Sequence, residues 1–149
     1  MKDVVYDDPA ELVAWAQERT GHTYFSDATA IGIKDETGIR GVTVFDSFTK
    51  TGCWVHVASD GSGRWFNRDY ITCIFAYPFI QLGYPRISAW VSEKNAASLR
   101  FTEHFGWVRE GVMRRAGFDG EDIITFGMLR SECRYLPPLI TGNPGPVRL

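Results

Sequence analysis

The sequence lacks long hydrophobic segments and any strong excess of charge of one sign. No apolar run approaches the roughly 18 residues that a membrane-spanning helix requires. The formal net charge is only −2 over 149 residues, so total charge favours neither nucleic acid nor an anionic lipid surface as a partner. We therefore expect an ordinary globular protein with no membrane partner.

Cysteine is also scarce, and its spacing indicates neither a disulfide framework nor a metal site. The three cysteines, Cys53, Cys73 and Cys133, are far apart in the sequence. They show no metal-ligand or redox spacing, which predicts reduced thiols, a cytoplasmic location and no metal. The acidic N-terminal segment, MKDVVYDDPAEL, is not typical of a signal peptide.

The chain length suits one domain with its own core. We assign residues 1–136 to this domain, because residues 137–149 are rich in proline and glycine and are expected to form a surface arm. Helices are predicted over residues 9–19, with Asp8 as the N-cap and Gly21 as the stop, over 67–82, with a kink near Ile74 caused by Pro78, and over 95–105. Strands are predicted over residues 28–33, 39–48, 53–59, 86–91, 108–115 and 122–130.

This order of elements predicts an α/β (α+β) fold. Three antiparallel strands come first, a strand-helix-strand crossover follows, and a hairpin closes the chain. The sheet is therefore expected to be mixed and mostly antiparallel, with six to seven strands and helices on both faces. Residues 53–59 are almost continuously apolar, which is typical of a central strand covered on both faces.

A glycine-rich loop joins this central strand to the next helix. Its residues Gly61, Ser62 and Gly63 allow close approach of the backbone to a ligand, and Arg64 and Arg68 follow. Unpaired amides and the positive end of a helix dipole suit a phosphate group, and arginine adds charge-assisted contacts. By itself a Gly-Ser-Gly turn is more often a plain connector, so both interpretations stay open.

The most specific pattern lies in residues 86–130. A strand leads into Asn95-Ala96-Ala97-Ser98, a helix follows, and then come Gly106-Trp107-Val108-Arg109-Glu110-Gly111 and a hairpin. This pattern resembles the C-terminal half of the GNAT superfamily of N-acetyltransferases. It is similar most of all to the branch that acetylates the N-termini of ribosomal proteins. The resemblance extends over about residues 53–135 and is weak before residue 50.

The resemblance implies that acetyl-CoA is the acyl donor and that an amine attacks it directly while both are bound. In the superfamily the diphosphate of the donor lies on the loop after the central strand, and the pantetheine arm pairs with the exposed backbone of that strand. Carried over to this sequence, these contacts implicate Val57, Ser59, Gly61, Ser62, Gly63, Arg64, Arg68, Asn95 and Ser98.

Candidate catalytic residues follow from the same comparison and from acid-base chemistry. Ser98 is the expected partner of the leaving thiolate, although a serine at a helix start also satisfies local backbone groups. His56 is the first choice of general base because histidine titrates near neutral pH, with Glu110 second. Asp46 is a further carboxylate on a neighbouring strand. A histidine in an apolar strand is more often a hydrogen-bonded core residue, and His22 and His104 are expected at the surface.

Two departures from the superfamily pattern keep a second function open. Thr102 stands where a tyrosine acid is common, and the loop does not have the usual glycine spacing. The alternative is therefore a catalytically weak or inactive module that binds acyl-CoA or a protein. A third hypothesis, nucleic-acid binding through Arg109, Arg114 and Arg115, competes with a simple solvated hairpin face.

The acceptor is the least predictable partner. The N-terminal region that usually forms the acceptor pocket is short here, and an open pocket would suit a macromolecule, such as a protein N-terminus or nucleic acid. The amine could equally belong to a small molecule, and the three alternatives stay open. Compact members of the superfamily also occur among phage-encoded proteins. A homodimer is compatible with the resemblance.

Overall fold

Seven strands form one sheet in the computed structural model, which describes residues 2–62 and 65–136. The regular elements, in chain order, are β1 (Asp3–Val5), α1 (Pro9–Thr20), β2 (Thr29–Asp35), β3 (Gly38–Asp46), β4 (Trp54–Ser59), α2 (Arg68–Ala76), a π-helical turn (Tyr77–Gln81), β5 (Arg86–Ser92), α3 (Ala96–His104), β6 (Val108–Met113), β7 (Ile123–Leu129) and a 3-10 turn (Arg130–Glu132). The predicted C-terminal arm, residues 137–149, lies outside the described residues.

The strand order in the sheet is β1-β2-β3-β4-β5-β7-β6. Every neighbouring pair is antiparallel except β4 and β5, which are parallel because α2 crosses over between them. This confirms the predicted mixed, mostly antiparallel sheet. The short strand β1 was not predicted, because three residues give too little alternation to show a period of two.

Helix α1 forms where the sequence provides both of its ends. The Asp8 side chain accepts the Glu11 N–H at 3.1 Å, Pro9 occupies the first turn, and Gly21 closes the helix at φ 74°. The predicted caps of this helix are therefore confirmed.

The alternation of β3 divides the core between the two faces of the sheet. Val42 and Val44 are fully buried in a cluster with Leu12 of α1. Phe45 points to the opposite face, where it packs with residues of α2, including Tyr70. The two helices therefore cover opposite faces, as expected.

The second predicted helix is interrupted rather than simply kinked. The α-helical hydrogen bonding ends at Ala76, and the chain widens into the π-helical turn, in which Leu82 N–H donates to Tyr77 O at 3.0 Å. Pro78 has no N–H to donate to the carbonyl four residues earlier, so the regular spacing cannot continue. The expected kink near Ile74 is corrected to a change of helix type after Ala76.

Strand β4 leaves its parallel neighbour soon after the two strands meet. Trp54 with Ser88 is the single register pair between β4 and β5 in the described part of the chain. Beyond it the strands part, and Val57 is 39% exposed. The expectation that this strand is covered on both faces is therefore wrong at its C-terminal end, where the strand borders a cleft.

Candidate functional site

The parting of β4 and β5 opens a cleft of about 400 Å³. Its walls come from the end of α1 and the loop after it, from β4, from β5 and from the first turns of α3. The lining residues are Arg19, Thr20, His22, Tyr24, Val55, His56, Val57, Ala89, Trp90, Val91, Ser92, Asn95, Ser98, Phe101, Thr102 and Trp107. Four sequence-predicted site residues therefore share one cleft, namely Val57, His56, Asn95 and Ser98.

His56 is held in this cleft by a buried carboxylate. Its Nε2 lies 2.8 Å from Oδ1 of Asp46, whose side chain is only 4% exposed. Asp46 Oδ2 also accepts the Phe25 N–H at 3.2 Å. An ionised carboxylate only accepts, so Nε2 must carry the shared proton, and Nδ1 is left as the ring nitrogen able to accept one.

The environment of Asp46 keeps its carboxylate charged. Burial by itself would raise the pKa of Asp46, but the hydrogen bond and charge of His56, with the Phe25 N–H, outweigh it and lower the pKa. Sequence reasoning named Asp46 without joining it to His56. Their proximity follows from the pairing of β3 with β4, in which Asp46 faces Trp54 and His56 faces Val44, and the sequence patterns do not give that register.

Asn95 and Ser98 form the start of α3. The Asn95 side chain accepts the Ser98 N–H at 3.0 Å and is the N-cap of the helix. Thr102 donates its hydroxyl to Ser98 O at 2.7 Å, one turn further on. Ser98 is half-buried, and both it and Asn95 line the cleft.

The loop after β4 uses its own side chains to satisfy its amides. Gly61 N–H donates to Ser59 Oγ at 2.8 Å, and Ser62 N–H donates to Asp60 Oδ1 at 2.9 Å. Gly63 and Arg64, also predicted to bind the donor, lie outside the described residues. Arg68 is exposed in the first turn of α2.

Two contacts fix the flanks of this loop. The Asp60 carboxylate pairs with Arg40 Nε at 2.8 Å, and Asp60 N–H donates to Arg40 O. Trp65 is buried against Gly41, where a Cβ atom would come within 2.5 Å of the indole ring. The described residues on both flanks of the loop, Asp60 and Trp65, therefore contact β3.

Glu110 is not among the residues that line the cleft. It lies on β6 and forms an ion pair with Arg86, with Glu110 Oε1 2.8 Å from Arg86 Nη2. Arg86 begins β5, whereas the cleft lies toward the other end of that strand, which carries Trp90 and Ser92. The structure thus does not bring Glu110 together with His56.

Aromatic rings form two further groups around the cleft. Phe66 contacts Phe101 and Phe105 at centroid distances of 5.3 and 5.0 Å, which makes an apolar wall between α2 and α3. On the other side, His22 contacts Trp90 at 4.9 Å. His22 was expected at the surface, but it is half-buried and lines the cleft. Burial lowers the pKa of His22, and the neighbouring charge of His56 lowers it further.

The three arginines of the nucleic-acid hypothesis show no common arrangement. Arg109 pairs with Glu103 at 3.2 Å, and Arg115 lies in the turn after β6 with φ 62°. Within the described residues, no group of three or more His, Cys, Asp or Glu side chains is arranged to hold a metal ion. No helix in the described ranges is long and apolar enough to cross a bilayer.

Comparison with known proteins adds a named relative and a set of solved folds. No family model matches the sequence. The chain is 27% identical over 128 residues to an SPbeta prophage-derived uncharacterized N-acetyltransferase, YokL, of Bacillus subtilis, which covers 79% of this chain and 69% of that protein.

The solved structures with a similar fold include spermidine N-acetyltransferases of Vibrio cholerae. A variant of the enzyme SpeG superposes with a TM-score of 0.74 over 93% of this chain and 98% of the other, at 15% identity. A dodecameric form of the Vibrio cholerae enzyme gives a TM-score of 0.71 over 87% and 94% of the two chains, at 14% identity. At these identities the likeness concerns the fold.

The predicted resemblance is thus supported at the level of the superfamily, while the likeness to the ribosomal-protein branch stays a prediction. Three observations agree with the predicted resemblance: the strand order, the parting of β4 and β5, and the Bacillus relative. The chain is therefore similar in sequence to the Bacillus N-acetyltransferase and similar in fold to the spermidine N-acetyltransferases.

Proposed function

We propose that this protein transfers an acetyl group from acetyl-CoA to an amine by direct attack, with both substrates bound in the cleft. The observation that carries the proposal is the His56–Asp46 pair at the fork between β4 and β5, facing a cleft that Ser98 also lines. A general base needs a ring nitrogen able to accept a proton and a defined orientation, and this pair supplies both.

The donor side of the cleft fits an extended pantetheine arm. Beyond Trp54, β4 has no register pair with β5 among the described residues, so its backbone groups can pair with the amides of the arm as an added strand would. The donor diphosphate is assigned to the loop that contains Gly61 and Ser62, beside the first turn of α2. Its oxygens would replace Ser59 Oγ and Asp60 Oδ1 as acceptors of the two amides.

The reaction then needs few protein groups. The amine nitrogen attacks the thioester carbonyl carbon, the carbon–sulfur bond breaks, and the amine proton passes to Nδ1 of His56. The departing thiolate accepts a hydrogen bond from the Ser98 hydroxyl and takes its proton from solvent, to which His56 later returns the proton that it accepted. Much of the rate comes from holding the two substrates together.

A covalent acetyl-enzyme is not part of the proposal. Cys53 is the cysteine closest in sequence to the site, and burial raises the pKa of its thiol to about 12. A thiol in that environment stays protonated and is a poor nucleophile at neutral pH.

The test has two stages. Acetyl-CoA should raise the melting temperature more than equimolar inorganic diphosphate, because the latter lacks the arm that pairs with β4. A panel of amines should then release free thiol, and His56→Gln should lower kcat by about 100-fold or more while leaving acetyl-CoA affinity intact.

The alternative function predicts a different outcome. Stabilisation by acetyl-CoA without thiol release for any amine would indicate an acyl-CoA-binding module. Absence of stabilisation would contradict both functions.

A further inference from the structure

Five aromatic rings contact one another in and beside the cleft. His22 lies 4.9 Å from Trp90 and 4.8 Å from Phe118, and Tyr24 lies 5.0 Å from His56, all between ring centroids. The rings come from the segment after α1, from β4, from β5 and from the turn between β6 and β7. We call these five residues the ring cluster: His22, Tyr24, His56, Trp90 and Phe118.

We infer that the acceptor is an amine that carries an aromatic group and no second positive charge, with its ring seated on the ring cluster and its amine toward His56. This inference rests on the proposed function and specifies its acceptor. It separates this protein from the polyamine acetyltransferases that share its fold.

The cluster presents apolar ring surface outward. Phe118 is 78% exposed although it belongs to a ring contact, and His22 and Trp90 are half-buried. Phe118 contacts His22, which lines the cleft. An exposed ring in this position gains from being covered by another ring, because edge-to-face and offset contacts between aromatic groups are favourable beyond the area they bury. A ligand ring entering here meets Phe118, His22 and Trp90 together.

The charges that line the cleft disfavour a polycation. Among the described lining residues there is one arginine, Arg19, and there are two histidines, but no carboxylate. Two carboxylates that contact lining residues are already bound. Asp46 is 3% exposed and accepts from His56, and Glu121 accepts the Ser92 hydroxyl. A second ammonium group would find no carboxylate oxygen facing it and would lose hydration without replacement.

The state of His22 agrees with this arrangement. Because burial lowers its pKa, the imidazole is uncharged at neutral pH and acts as a ring surface rather than as a cation. Tyr24 donates to or accepts from Thr20 Oγ1 at 3.2 Å, which holds its ring beside His56. The cluster is therefore a preformed, largely uncharged surface next to the base.

The inference is tested with three amines on the intact protein. 2-Phenylethylamine carries the predicted ring, 2-cyclohexylethylamine has the same size without the aromatic face, and spermidine is the polycation. We expect the dissociation constant of 2-phenylethylamine, measured by calorimetry, to be at least about tenfold lower than that of either other amine. The values of kcat/KM should follow the same order.

Two variants connect the preference to the ring cluster. Phe118→Ala and Trp90→Leu should weaken 2-phenylethylamine binding about tenfold and bring it close to that of the cyclohexyl amine, with acetyl-CoA affinity unchanged. The control Phe25→Ala removes another exposed ring that does not belong to the ring cluster, and it should change neither the affinity for 2-phenylethylamine nor that for acetyl-CoA.

Equal or tighter binding of spermidine, or no detectable binding of 2-phenylethylamine, would overturn the inference. A loss of affinity for all three amines alike in the cluster variants would also overturn it. Failure of the proposed function is a separate result, in which the aromatic amine binds but acetyl-CoA neither binds nor releases thiol.

Discussion

Asn95 and Ser98, both assigned to the donor on sequence grounds, are bound to each other, with Asn95 Oδ1 accepting the Ser98 N–H at 3.0 Å. Asn95 therefore caps α3, and any contact with the donor must coexist with this role. The same bond fixes the first turn of the helix, which presents Ser98 to the cleft. The two residues form one structural unit, and their variants have to be designed to separate folding from function.

Asn95→Ala is expected to affect stability as well as donor binding. Loss of the cap should reduce the free energy of unfolding by about 1 kcal/mol, because the Ser98 N–H loses its acceptor. Asn95→Asp keeps an acceptor at the cap and should retain stability in urea unfolding. If Asn95 also contacts the donor through its amide N–H₂, both variants should weaken acetyl-CoA binding. Unchanged calorimetric affinity in both would leave Asn95 with the capping role alone.

Ser98→Ala should separate turnover from binding. The variant keeps the backbone N–H that Asn95 accepts, so the start of α3 is preserved. We expect kcat to fall about tenfold, because a donor to the leaving thiolate is removed, while acetyl-CoA affinity and the melting temperature stay unchanged. Thr102→Ser retains a hydroxyl at a neighbouring lining position and is the matched control. Equal kcat values for wild type and Ser98→Ala would remove Ser98 from the mechanism.

Asp46→Asn should change both stability and its pH dependence. The folded-state pKa of Asp46 is lowered, so its charged form stabilises the native state above the unfolded pKa of about 4, and that contribution is lost as pH falls through the folded value. We expect the free energy of unfolding of the wild type to exceed that of the variant by about 1–3 kcal/mol at pH 7. The difference should shrink when urea unfolding is repeated near pH 3.

The same variant tests how His56 is oriented. Without the buried carboxylate, Nε2 loses its charged partner, so kcat should fall and its dependence on pH should move, with little change in KM for acetyl-CoA. Asp7→Asn alters an exposed carboxylate and serves as the control. A variant that loses stability but keeps the wild-type pH profile of kcat would indicate a purely structural role for Asp46.

Gly41→Ala should disturb the loop through Trp65. The new Cβ would lie 2.5 Å from the indole ring, so Trp65 must shift, at a cost of about 1–3 kcal/mol in unfolding free energy. Because Trp65 follows the loop, acetyl-CoA affinity should also fall. Gly111→Ala is the comparison, since its Cβ meets only the Thr125 hydroxyl at 3.3 Å. Equal effects of the two substitutions would argue against the role of Trp65 in placing the loop.

Sequence reasoning was most reliable where local chemistry decides the structure. Asp8, Pro9 and Gly21 mark the two ends of α1 through contacts that are local in the sequence, and the alternation of Val42, Thr43, Val44 and Phe45 indicates the two faces of β3. These signals depend on neighbours in the sequence, so they can be seen before the fold is known.

The parts that could not be predicted depend on pairing between distant segments. The bond between His56 and Asp46 requires the register of β3 against β4, and the ring cluster requires Phe118 of a late turn to reach His22 of an early loop. Sequence patterns give the alternation within each strand but not its register with a neighbour. Pro78 was recognised as a disruption, yet the sequence did not show that the chain would continue in a π-helical turn.

The amides of Gly61 and Ser62 carry a further consequence, because Ser59 and Asp60 already accept from them. Any anion that binds these amides must compete with the Ser59 hydroxyl and the Asp60 carboxylate, which belong to the same chain and are always beside the amides. The apparent dissociation constant of the anion equals its intrinsic dissociation constant divided by the fraction of molecules in which neither side chain accepts a hydrogen bond from its amide. Substituting Ser59 would then tighten donor capture, whereas Asp60 also holds Arg40 at the flank of the loop. The loop, together with the donor's own contacts, would set the concentration at which the protein becomes saturated.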